Sequence, residues 1–187
     1  MRIISGIRKG KKLIRPKNLK IRPTSDSVKE FIFNFLGNIV IQTKVLDLFS
    51  GTGNLGIEAL SRGALEVIFV ERDNFISQII HKNLKLTQFE LQSQVINSDV
   101  FRCIKWLIAK KQKFNLIFAD PPYQSNLYNK LLNLIDESNL LLNNGMFIFE
   151  HQSNEFLTTN LTNLFLHKTR KLGNTTISFF INRGGIN

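Results

Sequence analysis

A single cysteine, Cys103, excludes an intrachain disulfide and a zinc cluster built on thiolates. Three scattered histidines (His81, His151 and His167) leave little for a histidine-rich site, so no metal is expected. No run approaches the roughly 18 apolar residues of a membrane span. The apolar core and cleavage site of a signal peptide are missing too, and glycine and proline interrupt the basic start, which disfavours a targeting segment. These absences point to a soluble, cytoplasmic protein. Internal repeats, low-complexity tracts and Pro/Ser-rich linkers are also lacking, so 187 residues with 43% hydrophobic content read as one domain with a substantial core. Acid is missing from one end. Between Met1 and Arg22 every charged side chain is basic (Arg2, Arg8, Lys9, Lys11, Lys12, Arg15, Lys17, Lys20, Arg22), and this stretch carries most of the net charge of +11. It is either a solvated tail or, preferably, a patch for a polyanion such as nucleic acid, whose binding weakens as salt rises.

Residues 1–24 read as a small basic N-terminal extension shaped as a hairpin: Ile3–Ser5, a turn around Gly6–Gly10, then Lys12–Ile14. Residues 25–187 form the main domain. Its first helix carries Val28, Phe31, Ile32 and Phe35 at i, i+3, i+4 and i+7. Ser27 and Glu30 have capping-box spacing, and a start two residues earlier is also compatible. From Lys44 on, strand and helix patterns alternate. Strand-like runs are Val45–Leu48, Val67–Glu71, Val95–Ser98, Leu116–Ala119 and Met146–Glu150. The helix-like runs are Leu55–Ser61, Asn74–Leu86, Phe101–Lys110 and Leu127–Ser138, the last with a stripe of Leu127, Leu131, Leu134 and Ile135. Strands rich in Val, Ile, Leu and Phe without polar alternation are buried on both faces, as in a parallel sheet between helices. Leu164–His167 and Thr176–Ile181 flank Gly173-Asn174, a hairpin signal that adds an antiparallel edge. The expected fold is α/β, a mostly parallel seven-stranded sheet closed by an antiparallel C-terminal hairpin.

Chemistry gathers at strand ends. Val45-Leu-Asp-Leu-Phe-Ser-Gly-Thr-Gly-Asn-Leu-Gly56 runs from a buried strand through a glycine turn into a helix. Gly51, Gly53 and Gly56 spell GxGxxG, weak evidence alone. Asp47 just before the turn would repel phosphate but accept from an ammonium, and no Lys-Ser/Thr follows, which removes the P-loop. A cationic ligand with an amino-acid end, such as S-adenosylmethionine, suits this loop better than a pyrophosphate. Glu71 ends the next strand, placed to take both ribose hydroxyls, a feature that dinucleotide and methyltransferase folds share. Asp99 ends the third and could accept from an adenine amino group. Taken alone it is an ordinary turn residue.

The most telling motif is Asp120-Pro121-Pro122-Tyr123, directly after Phe114–Ala119. Paired prolines fix φ and donate no N–H, leaving their carbonyls free and rigidly aimed. An exocyclic base amine is a poor nucleophile because its lone pair is delocalised into the ring. Hydrogen bonds from both amine hydrogens to the Asp120 carboxylate and a proline carbonyl favour a pyramidal nitrogen. Tyr123 offers a face on which an extruded base can stack, worth about 1–3 kcal/mol. A structural Pro-Pro turn is the alternative for this tetrapeptide by itself.

The chain closely resembles the RsmD family, bacterial 16S rRNA guanine-N2 methyltransferases. The resemblance is carried by Arg2-Ile-Ile-Ser-Gly6 with Gly10 and Leu13, Arg22-Pro-Thr24, Asp47-Leu-Phe-Ser-Gly-Thr-Gly53, Phe69-Val-Glu71, Asp120–Tyr123 and Gly173-Asn-Thr-Thr-Ile-Ser-Phe179. Asn174 departs from it, since an acid is expected after the glycine. The resemblance implies a Rossmann-like class I S-adenosylmethionine-dependent methyltransferase. It would act as a monomer on a single guanine of 16S rRNA in an assembling small ribosomal subunit. By the same resemblance Asp47, Phe49, Ser50, Gly51, Thr52, Gly53, Glu71, Arg72, Asp99 and Val100 contact the cofactor. Asp120, Pro121, Pro122 and Tyr123 hold the base, and Thr24 and Arg22 close over cofactor or base. Arg2, Arg8, Lys9, Lys11, Lys12, Arg15 and Arg22 grip RNA, and Lys168, Arg170 and Lys171 could join them. His151 either touches substrate or simply packs. Three rivals remain. A DNA adenine-N6 methyltransferase shares the tetrapeptide but usually needs a target-recognition region for which there is no spare segment. A nicotinamide-dependent oxidoreductase leaves Asp47 and Asp120–Tyr123 unexplained. The third is a non-catalytic RNA-binding assembly factor with a methyltransferase fold.

Overall fold

The computed structural model describes residues 1–16, 25–122, 125–155, 157 and 160–184. Among the site candidates, Arg22, Thr24 and Tyr123 lie outside the described residues.

Among the described residues the α-helices and strands follow one another as α1 (Asp26–Leu36), β1 (Lys44–Leu48), α2 (Asn54–Ser61), β2 (Glu66–Glu71), α3 (Asn74–Thr87), β3 (Ser93–Asn97), α4 (Val100–Ala109), β4 (Phe114–Ala119), α5 (Ser125–Ser138), β5 (Leu141–Gln152), β6 (Leu164–Leu172) and β7 (Thr175–Asn182). The seven strands form one sheet in the order β3-β2-β1-β4-β5-β7-β6. The first five are parallel, and β7 runs antiparallel between β5 and β6. Strand alternation sorts the core into two layers. Val45, Phe69, Phe118, Ile148 and Phe179 meet α1, α2 and α3, whereas Leu46, Val70, Ile117, Phe149 and Phe180 meet α4 and α5. Because residues i and i+2 share a face, a side chain's layer can be followed up to the end of its strand.

Helix starts are set by side-chain caps. Ser25 accepts from Val28 N–H, Asp73 from Ile76 N–H and Asp99 from Arg102 N–H. Helix α1 therefore begins at the earlier of the two registers read from sequence, with Ser25 rather than Ser27 as cap. In α5 the buried face is Tyr128, Leu131, Leu132 and Ile135. Leu127 and Leu134 are half-buried, so the apolar stripe is rotated from the one the spacing suggested.

The N-terminal segment is a short, irregular hairpin: one antiparallel bridge joins Arg2 to Lys12, and Ile3 N–H donates to Lys11 O, Gly10 N–H to Ile3 O and Leu13 N–H to Met1 O. Glu58 accepts from Ile4 N–H and Ser5 N–H at 2.9 and 3.0 Å, Ile7 N–H donates to Ser61 O, and Ile14 N–H to Asn83 Oδ1. These partners on α2 and α3 take up polar groups outside the hairpin's own pairing, while Ile3 and Leu13 enter the core. Lys29 of α1, fully buried, donates to Arg2 O and lies 3.5 Å from Glu58, also fully buried. Arg62 completes the cluster at 2.9 Å from Glu58. Among the described residues no helix is long and apolar enough to cross a membrane.

Candidate active site

A cleft of about 850 Å³ opens along the carboxyl ends of the parallel strands, where ligands bind in open α/β sheets. The sequence folds locally to build it. β1 ends at Leu48, Phe49 takes a positive φ of 58°, and the chain turns through Ser50–Gly53 into α2. Ser50 ties the turn to the next strand: its N–H donates to Val70 O, its hydroxyl to Asp47 O, and it accepts from Val70 N–H. Gly53 N–H closes the turn onto Ser50 O at 2.8 Å. Asp47, buried beneath, accepts from Gly56 N–H at 2.9 Å. Gly56 is held by packing, since a Cβ there would stand 2.3 Å from Phe69 Cε1.

Glu71, at the end of β2, accepts from Gly51 N–H at 3.0 Å and from Asp73 N–H at 2.9 Å, which fixes its carboxylate against the glycine turn. Asp99 caps α4 through one oxygen and borders the cleft with Val100. Asp120, Pro121 and Pro122 follow β4 and line the same cleft. The acids crowd. Burial first, then Asp120 and Glu71, push the Asp47 carboxyl up to about 7, against the opposing Gly56 N–H. Burial also raises Glu71 above the usual carboxylate range, opposed by the N–H groups it accepts from. Such a cleft favours a cationic guest, whose charge would restore the carboxylates.

The residue set fits S-adenosylmethionine. Gly51 has φ +53°, and the place a Cβ would take is open for 4 Å, so the backbone can meet a ligand directly. Asp47 is buried beside that turn, Glu71 holds its carboxylate against it from the end of β2, and Asp99 with Val100 borders the cleft past β3. Among the described residues no group of three or more His, Cys, Asp or Glu could hold a metal ion.

The structure brings Asp47, Phe49, Ser50, Gly51, Thr52, Glu71, Arg72, Asp99, Val100, Asp120, Pro121 and Pro122 into one cleft. Gly53 does not line it. It sits behind the turn against Ile57, Ile80 and Phe69, and acts through its left-handed conformation. The sequence reading missed Ser25, Ser27 and Val28 of α1, Glu150 of β5, and Leu172 and Gly173 of the β6–β7 turn, all of which border the cleft. Only Glu150 carried a usable signal, because it ends a strand-like run as Glu71 does. His151 is not in the cleft; buried, it bonds Ser178 Oγ at 2.9 Å and Gln152 O at 3.0 Å, and burial lowers its pKa. Of the basic residues, Arg2, Lys9, Lys11, Lys12 and Arg15 are exposed. Arg2 lies 3.4 Å from Asp26 at the start of α1. Arg8, half-buried, is engaged at the end of α3, donating to Thr87 O and Gln88 Oε1.

Strand order, glycine turn and acidic strand ends together define the Rossmann-like methyltransferase class. An RNA methyltransferase from Salinibacter ruber, solved in complex with S-adenosyl-L-homocysteine, shares this fold with a TM-score of 0.67 at 16% identity over 88% of this chain and 96% of that one. The solved yhhF protein of Escherichia coli is nearer, with a TM-score of 0.85 and 30% identity over 97% of both chains. Ribosomal RNA small subunit methyltransferase D of Escherichia coli is 34% identical over 173 residues, 92% of this chain and 85% of that protein. The family described as Conserved hypothetical protein 95 matches residues 1–181. The chain belongs to this family, the RsmD family that its motifs resemble.

Proposed function

We propose that this protein is an S-adenosylmethionine-dependent enzyme that methylates the exocyclic N2 of a guanine in 16S rRNA of an assembling small ribosomal subunit. The observation that supports the reading best is Asp120 with its two prolines in the cleft that also holds Asp47, the glycine turn and Glu71. The name and identity of the Escherichia coli relative support the RNA.

Asp47 and the Gly51 turn would hold the amino-acid end of the cofactor, Glu71 its ribose, and Asp99 with Val100 its adenine. Bound there, the cofactor supplies a methyl group on a sulfonium centre. Asp120 and the carbonyl of Pro121 accept from the two amine hydrogens of the base, turning the nitrogen lone pair toward that methyl group. The rigid Pro121-Pro122 backbone keeps the acceptors in place, so positioning and exclusion of water supply most of the acceleration. Once methylated, the nitrogen loses its proton readily, so Asp120 need not be a strong base.

RNA would be held by the exposed part of the N-terminal loop (Arg2, Lys9, Lys11, Lys12 and Arg15). Lys168 and Arg170 extend this surface. They pair with Phe179 and Ile177 and so face the α1 layer, and Lys168 Nζ stands 4.9 Å over the Phe35 ring. The test is Asp120→Ala, which is expected to lower methyl transfer by about 10²-fold or more while cofactor affinity survives. Normal transfer by this variant would overturn the mechanism.

A further inference from the structure

Glu150 is a further acid of the cleft, beside Asp47, Glu71, Asp73, Asp99 and Asp120. The last parallel pair of β4 and β5 joins Ala119 to Phe149, and the next residues along are Asp120 and Glu150. Phe149 points to the α4–α5 layer and Ile148 to the α1 layer, so Glu150 faces α1. It is 8% exposed and borders the cleft together with Ser25, Val28 and Gly173. The sheet order divides this cleft into two ends. The glycine turn, Glu71 and Asp99 stand over β1, β2 and β3, whereas Asp120 and Glu150 stand over β4 and β5, beside the β6–β7 turn. Glu150 therefore belongs to the end that receives the target base.

An ionised carboxylate only accepts hydrogen bonds. Two carboxylates on adjoining strand ends suit a base edge that donates from neighbouring atoms. Guanine has this edge, N1–H beside the N2 amine. Adenine places an acceptor, N1, beside its N6 amine, and cytosine places N3 beside N4, so either base would set a lone pair against Glu150. A buried acceptor left facing an acceptor is rejected far more strongly than a missing hydrogen bond alone would be.

We propose that Glu150 is a specificity-determining residue that accepts from N1–H of the extruded guanine while Asp120 and Pro121 hold its N2 amine. This rests on the methyltransferase reading above and supplies the reason for guanine over adenine. Glu150 takes no proton and forms no covalent bond in the reaction.

The test uses 2-aminopurine, which keeps the N2 amine but turns N1 into an acceptor. The position methylated by the unaltered protein is mapped first. Small subunits are then reconstituted with guanosine or 2-aminopurine riboside at that position, and kcat/KM is measured for both. The unaltered protein should favour guanosine by about a hundredfold or more. In Glu150→Gln, whose amide can donate to the 2-aminopurine N1, that ratio should fall by at least about tenfold with cofactor affinity unchanged. Glu150→Asp, which keeps an acceptor, should retain the preference at a reduced rate and serves if the glutamine variant does not fold. Equal use of both bases by the unaltered protein, or a preference that Glu150→Gln leaves intact, would overturn the proposal. Methyl transfer by the unaltered protein to something other than guanine N2 would instead remove the functional reading on which it stands.

Discussion

Gly56 N–H donates to Asp47 Oδ2 at 2.9 Å, binding the first turn of α2 to the end of β1 beneath the glycine turn. This hydrogen bond holds a carboxylate in the core of the cleft, where burial and two neighbouring acids raise its pKa to about 7.

Cofactor affinity should therefore depend on pH. A carboxyl raised to about 7 carries a proton in much of the ligand-free protein near neutrality. A cationic ligand favours the ionised form, so binding releases that proton, and affinity should weaken by up to about tenfold per pH unit below the raised value. The stability of the ligand-free protein runs the other way. The folded state holds this proton more tightly than the unfolded chain, so the contribution is full below the ordinary value of 3.8 and is lost as pH rises through about 7. Calorimetric titration of S-adenosylmethionine between mildly acidic and mildly alkaline buffer checks the first point. Asp47→Asn should flatten the profile, and a flat profile in the unaltered protein would contradict the account.

Removing Glu58 should destabilise the fold by about 3–5 kcal/mol, because it takes from the fully buried Lys29 its buried partner and leaves it the more distant, exposed Asp26 at 3.7 Å. Glu58→Gln also weakens the acceptors of Ile4 and Ser5 N–H, so the N-terminal loop should loosen with it. Urea unfolding measures the first effect and amide exchange at residues 4 and 5 the second. Unchanged stability would mean that the cluster is not the tether of the loop.

Much of this architecture was legible in the sequence, for local reasons. Four largely apolar strands (β1, β2, β4 and β5), the Asp47–Gly56 turn and the acids at 71, 99 and 120 follow from short-range patterns, whereas β3, expected to be buried on both faces, is the edge of the sheet and only half-buried to exposed. What escaped depends on contacts far apart in the chain. Lys29 looks like part of a solvated helix face until Glu58 is brought to it from α2. The hairpin expected near Ile3 and Lys12 forms, but its anchoring on Glu58, Ser61 and Asn83 comes from α2 and α3, which no local pattern announces. Gly173 reaches the cleft with the β6–β7 turn because β7 inserts between β5 and β6, an order that no local spacing announces.

The basic surface should reveal itself through salt. Reversing Lys9, Lys11 and Lys12 to Glu should weaken binding to small-subunit RNA and make the dependence of log affinity on log salt shallower, by roughly 0.7–0.9 for each phosphate no longer neutralised. Arg170→Glu, on the exposed strand β6, should act in the same direction. Cofactor affinity should not change in either. A salt slope that neither variant alters would show that RNA is held elsewhere.

The central claim is tested most directly by the identity of the methylated nucleoside. Small ribosomal subunits from cells lacking this protein are incubated with it and methyl-labelled S-adenosylmethionine, and the RNA is digested to nucleosides. The account predicts label in N2-methylguanosine of 16S rRNA. Label on adenine, label in DNA, or no transfer by a protein that binds the cofactor would contradict it.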